Sequence, residues 1–149
     1  MTAHLQRTTI AIGADHAGFA LKQALGSYLQ QQGYTVIDVG THSVEAMDYP
    51  DPAHQVARAI QDGRAQQGLL VCGSAIGMAI AANRHKGVRA AVVRDAFDAQ
   101  MSREHNDANV ACFGGRVTSE REAEQLLDLW LRTPFAGGRH VRRVEKIDE

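Results

Sequence analysis

The stretch from Gly68 to Asn83 constrains the fold of this chain more than any other. It opens with Leu69 to Val71, an apolar run in which hydrophobic residues do not alternate with polar ones. Such a run is typical of a parallel strand that is buried on both faces. Cys72 ends the run, residues 73–77 form a glycine-containing turn, and helical spacing follows from Met78 to Asn83. The sequence therefore predicts a buried strand, a tight turn and a helix at the centre of the chain.

The rest of the chain repeats this alternation of strand and helix. Four further segments predict strands, namely Thr8–Ala14, Thr35–Val39, Arg89–Val93 and Val110–Phe113. Alternating strands and helices with short connections are typical of a parallel sheet covered by helices on both faces. We therefore predict a doubly wound, Rossmann-like α/β fold with five parallel strands. It forms a single domain over residues 1–149, of which residues 1–7 are a tail.

The helix boundaries are predicted from helical spacing and from capping signals. Apolar residues recur at helical spacing from Leu21 to Leu29, and Gly33 ends that helix. The other capping signals are Asp51 as an N-cap before Pro52, Asp95 ahead of Phe97 and Met101, and the capping-box pair of Ser119 and Glu122. Beyond the Gly137–Gly138 break, residues 139–149 are predicted to form a charged tail.

The composition of the chain argues against several classes of protein function. The net charge of −1 argues against sequence-independent nucleic-acid binding, which needs a basic surface. Two cysteines without CxxC or CxxH spacing argue against a structural zinc site or a disulfide framework. We find no signal peptide and no apolar run of membrane-spanning length, so we expect a cytoplasmic protein with reduced thiols and no membrane partner.

Polar residues cluster where the predicted strands end. The first strand leads to Asp15 and His16, the central strand to Cys72 and Ser74, and the last strand to Arg116. In doubly wound sheets, ligands bind beyond the carboxyl ends of the strands. A thiol at a strand-to-helix turn lies beside helix N–H groups, which favour a thiolate and can bind an anion. No GxGxxG or Walker pattern is present, so this set suggests proton transfer on a phosphorylated small molecule.

Each of these residues also has an ordinary structural interpretation. A free cysteine is often simply buried, and this is our interpretation of Cys112. Asp15 could be only an N-cap, His16 could fill the first turn of a helix, and His105 could complement a helix dipole. Tyr49 either walls a pocket or anchors its loop. The side chains assigned to the solvated surface are His4, His42, His54, His85, His140 and Arg142.

Several motifs, in order, resemble one enzyme family. They are Gly13–Gly18, Asp48–Pro50, Cys72–Gly77, Ser102–Asp107 and Gly137–His140. The chain resembles the type B ribose-5-phosphate isomerases, within the wider family that includes galactose-6-phosphate and allose-6-phosphate isomerases. The resemblance covers the chain from about Ile10 to Ile147.

The resemblance implies a role for each matching residue. Cys72 matches the base that moves a proton between C1 and C2, Asp15 and His105 match groups that help to open the sugar ring, and Ser74 matches an assisting hydroxyl. Backbone N–H groups from Gly73 to Gly77 would stabilise the enediolate oxygen. The remaining matches bind substrate: Asn106 the sugar hydroxyls, and His16, Arg116, Arg139 and Arg143 the phosphate. Tyr49 is included as a candidate substrate contact.

The resemblance also implies how the protein assembles and what it needs. In the family the active site forms between the two subunits of a homodimer, with His105 and the C-terminal arginines coming from the partner, so we expect residues 139–149 to contact that partner. It implies no cofactor and no metal. Whether dimers pair further into tetramers is left open.

Two departures from the family pattern matter here. Ala75 stands where many members have Gly, and a positive φ there would cost Ala roughly 1 kcal/mol. Met78 stands where some relatives have a glutamate base, which leaves that role to Cys72.

The resemblance implies isomerisation of ribose 5-phosphate to ribulose 5-phosphate, as in the pentose phosphate pathway. The alternatives are the same reaction on allose 6-phosphate, galactose 6-phosphate or a tetrose phosphate, and a non-catalytic sugar-phosphate-binding module.

Overall fold

A computed structural model describes residues 8–149. Within this range five strands form one parallel sheet; they are β1 (Thr9–Ala14), β2 (Thr35–Asp38), β3 (Gln67–Cys72), β4 (Ala90–Val92) and β5 (Val110–Gly114). Their order across the sheet is β2-β1-β3-β5-β4, and all neighbouring pairs are parallel. The predicted doubly wound α/β fold is confirmed.

Six α-helices connect or follow the strands in the described part of the chain. They are α1 (Phe19–Gln31), α2 (Pro50–Gln61), α3 (Ile76–Ala82), α4 (Ala96–Glu104), α5 (Glu120–Arg132) and α6 (His140–Glu145), and a single 3₁₀ turn (Lys146–Asp148) follows α6. None of these helices has the length and apolarity needed to cross a membrane.

The central strand is buried on both faces, as its unbroken apolar run predicts. Leu69 and Val71 pack into a core cluster with residues of α1, α4 and α5. Leu70 and Cys72 point to the other side and pack with residues of α2 and α3. Because successive side chains of a strand point to opposite faces, β3 contributes to both hydrophobic layers at once. This explains why its sequence contains no polar positions between Leu69 and Val71.

The sheet order creates a crevice between β1 and β3. From β1 the chain passes to β2 on one side, and it then returns across β1 to reach β3 on the other side. The connections after β1 and β3 therefore depart in opposite directions, and the carboxyl ends of these strands flank an open groove. The residues that follow them, Asp15 and Gly73, lie at this groove.

Two of the predicted helix starts are confirmed and two are wrong. The Asp95 carboxylate accepts a hydrogen bond from Asp98 N at 2.8 Å, and Ser119 forms its capping box with Glu122. Helix α2, however, begins at Pro50 with Tyr49 as its N-cap, and Asp51 lies in the first turn, where its charge complements the helix dipole. Helix α3 begins at Ile76, two residues before the predicted start.

The predicted charged tail is also wrong as a description of residues 139–149. Residues His140–Glu145 form α6, and the side chain of His140 is buried. Charge density suggested a solvated tail, whereas contacts with distant parts of the chain order the segment.

A buried lysine fixes the loop that follows β2. Lys22 is fully buried and donates to both carboxylate oxygens of Asp38 at 2.8 Å and to Thr41 O at 2.6 Å. Thr41 N in turn donates to Ala14 O at 2.7 Å, so this loop is attached to the end of β1. A buried ammonium needs such a complete set of partners because removing its charge from water is costly. The ion pair therefore holds the loop against the residue that precedes Asp15.

Candidate active site

The crevice between β1 and β3 opens into a cavity of about 590 Å³. Its lining residues come from the ends of both strands, from the turn before α3 and α3 itself, and from the loops after β2 and β5. They are Asp15, Tyr49, Cys72, Gly73, Ser74, Ile76, Gly77, Ile80, Arg116 and Val117. Seven of these ten are residues that the sequence analysis assigned to the site.

Cys72 is the last residue of β3 and lies in the wall of this cavity, with 4 % of its surface exposed. The other cysteine, Cys112, is fully buried within β5 and packs in the core beneath α2 and α3. Burial, and to a lesser extent the neighbouring Cys72, raises the pKa of the Cys112 thiol. Cys112 therefore remains a neutral core thiol, which confirms the prediction that it serves packing.

Asp15 lines the same cavity as Cys72. Its backbone N donates to Val71 O at 3.2 Å, which joins the end of β1 to the residue before Cys72. The carboxylate is 7 % exposed and accepts a hydrogen bond from Gly18 N at 3.0 Å. The N-cap of α1 is Gly18, three residues after Asp15, so the interpretation of Asp15 as the N-cap is wrong. Asp15 instead closes the turn before the helix, with its carboxylate at the cavity.

The turn from Gly73 to Gly77 brings two further side chains to the cavity. A Cβ at Gly73 would lie 3.1 Å from Arg116 Nη1, and a Cβ at Gly77 would lie 2.5 Å from Cε1 of Tyr49. Both glycines thus permit a close approach that a larger residue would obstruct. Tyr49 packs against the turn and also lines the cavity, so the two interpretations of this residue are compatible.

The same turn contains the residue with the most strained backbone in the site. Ala75 has φ 76° and ψ −21°, in the left-handed region that favours glycine, and is 1 % exposed. The Ser74 hydroxyl accepts a hydrogen bond from Ile76 N at 3.2 Å, which stabilises the turn from within. Position 75 therefore does require the positive φ that the sequence analysis considered.

A second, smaller cavity of about 260 Å³ contains the other predicted catalytic residue. Its lining residues are His105, Asn106, His140, Arg143, Val144 and Ile147. Within the chain, His105 and Asn106 at the end of α4 thus face a different cavity from Cys72 and Asp15. The structure divides the predicted site residues into two groups.

The two remaining predicted phosphate contacts line neither of these cavities. His16 Nδ1 accepts a hydrogen bond from Met47 N at 3.2 Å, which attaches the loop after β2 to the turn after β1. Arg139 is exposed and is the N-cap of α6, which follows the end of α5 at Arg132.

Sequence reasoning missed His140. Its ring stacks on that of His105, with centroids 4.3 Å apart and an interplanar angle of 13°. Burial, followed by the neighbouring His105 and arginines, lowers the pKa of His140, which favours its neutral form. The available signal was its position directly after Arg139 in the Gly137–His140 motif.

The other histidine assignments have mixed outcomes. His54 and His85 are half-buried, and their Nδ1 and Nε2 atoms lie 2.6 Å apart, so assigning them to the solvated surface was wrong. His42 and Arg142 are exposed, as predicted, and His4 lies outside the described residues. Between residues 8 and 149, no three His, Cys, Asp or Glu side chains converge as metal ligands.

The fold is a doubly wound α/β fold, and its candidate active site is the cavity where strands β1 and β3 diverge. The family model described as Ribose/Galactose Isomerase matches residues 10–147. The chain belongs to this family, and it is an aldose–ketose isomerase.

Individual relatives agree with this assignment. Ribose-5-phosphate isomerase B of Escherichia coli is 47 % identical over 138 residues, covering 93 % of each chain. D-erythrulose-4-phosphate isomerase of Pectobacterium atrosepticum is 44 % identical over 140 residues, covering 93 % of this chain and 92 % of the relative. The structure of Clostridium thermocellum ribose-5-phosphate isomerase B superposes with a TM-score of 0.93 at 46 % identity, covering 95 % of both chains.

The strain at Ala75 leads to a prediction about stability. Ala75→Gly removes a left-handed penalty of about 1–2 kcal/mol and adds about 0.5–1 kcal/mol of backbone entropy cost, so we expect the free energy of unfolding to rise by about 0.5–1 kcal/mol. The matched control is Ala79→Gly within α3, where φ is helical and we expect a loss of about 1 kcal/mol. Denaturant unfolding measures both. Changes of the same sign would contradict the strain at position 75.

Proposed function

We propose that this enzyme interconverts ribose 5-phosphate and ribulose 5-phosphate, through an enediolate and without a cofactor, with Cys72 as the base. One observation carries this proposal: Cys72 lines the same cavity as Asp15, whereas the second cysteine is fully buried in the core. The reaction belongs to the pentose phosphate pathway. The similarity to an erythrulose-4-phosphate isomerase supports a tetrose phosphate as the second candidate substrate.

The reaction is a proton transfer with no net change in oxidation state. After ring opening, the Cys72 thiolate takes the proton from C2 of the aldose, and the electron pair forms the C1–C2 double bond of the enediolate. The same thiol returns the proton to C1, while the hydroxyl proton at O2 is lost and O1 gains one. Asp15 and His105 assist ring opening, and Ser74 assists these transfers. Backbone N–H groups of the 73–77 turn stabilise the charged oxygen.

The residues proposed to bind the phosphate are basic side chains. Arg116 lies across Gly73 at the edge of the cavity, and we propose that it binds the phosphate together with His16, Arg139 and Arg143. Guanidinium groups suit this function because their planar donors match phosphate oxygens. Asn106 is proposed to contact the sugar hydroxyls.

We further propose that the working unit is a homodimer with shared sites. Ile76, Ile80 and Val117 rim the Cys72 cavity and are 54 %, 63 % and 62 % exposed. Apolar side chains clustered at a cavity rim are typical of an interface. Within one chain, the cavity of Cys72 is not lined by His105, Asn106, Arg139 or Arg143. We therefore propose that a two-fold partner supplies these residues to it.

The substrate is tested with a panel of aldose and ketose phosphates of four, five and six carbons. We expect the highest kcat/KM for ribose 5-phosphate in the forward direction and for ribulose 5-phosphate in reverse. A higher kcat/KM for the four-carbon substrates would reject the pentose assignment and leave the isomerase class intact.

The base is tested by paired cysteine variants. We expect Cys72→Ala to lower kcat by about 10²–10⁴, because general-base catalysis typically contributes that much. Cys112→Ala serves as the control, since that thiol is buried in the core and should leave kcat nearly unchanged. Near-normal turnover in Cys72→Ala would eliminate the proposed mechanism.

The shared site is tested by mixing two inactive proteins. Cys72→Ala and His105→Ala chains are unfolded and refolded together in equal amounts. Random pairing makes about half of the dimers mixed, and each mixed dimer contains one site without either substitution, so activity should return to roughly a quarter of the wild-type level. If one chain supplies both residues to each site, every site carries a substitution and mixing restores nothing.

A further inference from the structure

The Ser102–Asp107 motif contains three charged residues, Arg103, Glu104 and Asp107, to which the proposed mechanism gives no function. Arg103 and Asp107 flank His105 and Asn106 in the sequence, yet neither lines the cavity of His105. They form an ion pair, with Arg103 Nη1 2.9 Å from Asp107 Oδ1. The Arg103 side chain is 13 % exposed and that of Asp107 is 36 % exposed, so the guanidinium is the more buried partner.

The first function of this pair is to close the turn that carries His105 and Asn106. The Nη1 group of Arg103 also donates to Ala108 O at 2.7 Å, so the guanidinium spans the turn from its beginning to its end. On the other side of the turn, Arg89 Nε donates to Asp107 O at 2.8 Å. Asp107 has φ 47°, a conformation that needs such external support in a residue other than glycine.

The same guanidinium also contacts the segment that leads to α6. Arg103 Nε donates to Thr133 O at 3.1 Å, and the adjacent Glu104 O accepts from Ala136 N at 3.0 Å. The segment then passes through Gly137 and Gly138 into α6, which carries His140 and Arg143. Trp130 lies beneath the guanidinium, with Cζ 5.6 Å from the ring centroid. Arg103 therefore contacts both the turn that carries His105 and the end of the chain segment that leads to α6.

We propose that Arg103 is a positioning residue that sets the His105–His140 stack and, through it, the half-site formed by His105, Asn106 and Arg143. This inference rests on the proposed function at one point, namely that His105 and Arg143 act on the substrate. Arginine suits this position because its planar fork reaches acceptors on both sides at once, whereas a lysine ammonium cannot span Asp107, Ala108 and Thr133 in the same way.

The test compares Arg103→Lys with a matched arginine on the surface. Arg132 forms an ion pair with Asp128 at 2.8 Å, but its side chain is 66 % exposed, so Arg132→Lys is the control. For Arg103→Lys we expect kcat/KM for ribose 5-phosphate to fall roughly 100-fold, since a displacement of about 1 Å in a positioned group costs that much. We expect Arg132→Lys to stay within about two-fold of wild type.

A second readout follows the stack itself. NMR titration of the histidine rings reports the pKa of His140, which burial and the stacked His105 lower in the wild type. We expect this pKa to rise toward the usual histidine value in Arg103→Lys and to be unchanged in Arg132→Lys. Because the titration needs no substrate, it tests the positioning independently of catalysis.

Two Asp107 variants keep the proposal testable if Arg103→Lys does not fold. Asp107→Asn retains an acceptor oxygen and tolerates a positive φ, so we expect less than a ten-fold loss in kcat/KM. Asp107→Ala loses both properties and should resemble Arg103→Lys.

The two readouts separate the inference from the proposed function. A His140 pKa that rises together with a fall in kcat/KM supports both. A raised pKa with unchanged kcat/KM supports the positioning and rejects the assigned function of His105. An unchanged His140 pKa in the folded Arg103 variant overturns the inference, whatever happens to turnover.

Discussion

The pairing of β1 with β3 is the interaction on which the rest of the structure depends. Register places Ala14 beside Val71, and the hydrogen bond from Asp15 N to Val71 O extends this pairing one step beyond the strands. Because parallel strands end at the same edge of the sheet, strand pairing alone brings together the residues that follow them. Asp15 and Cys72 line one cavity for this reason, although 56 residues separate them in the sequence.

Close backbone packing then builds the cavity around these two residues. Gly115 N donates to Cys72 O at 2.7 Å, and Arg116 N donates to Gly73 O at 3.1 Å, so the loop after β5 lies directly on the turn after β3. A Cβ at Gly114 would lie 2.9 Å from Gly73 O, which leaves no room for a side chain there. Gly114 therefore allows the backbone after β5 to pack against the backbone after β3. This close packing places Arg116 at the cavity.

The candidate site residues are divided between two cavities, and this division is what the proposal of a shared active site starts from. The Cys72 cavity is rimmed by exposed isoleucine and valine side chains, while the His105 cavity is assembled from the end of α4 and from α6. Helix α6 is short, and the bonds from Arg103 and Glu104 to residues 133 and 136 fasten the chain that leads to it. The position of its arginines is therefore decided by contacts far from the arginines themselves.

The sequence by itself determined the doubly wound sheet and the position of Asp15 and Cys72 at the ends of strands, because unbroken apolar runs and capping residues are local signals. Ser119 and Glu122, for example, form their capping box within four consecutive residues. Only the tertiary structure decided that Lys22 is buried, that His140 stacks on His105 and that residues 140–145 are a helix rather than a tail. Each of these depends on partners distant in sequence: Asp38 and Thr41 satisfy the lysine, and Thr133, held by Arg103, helps to place the histidine. The local sequence does not show whether a charged or polar residue is buried. Burial of such a residue is costly unless the fold supplies its hydrogen-bond partners, and those partners are distant in sequence.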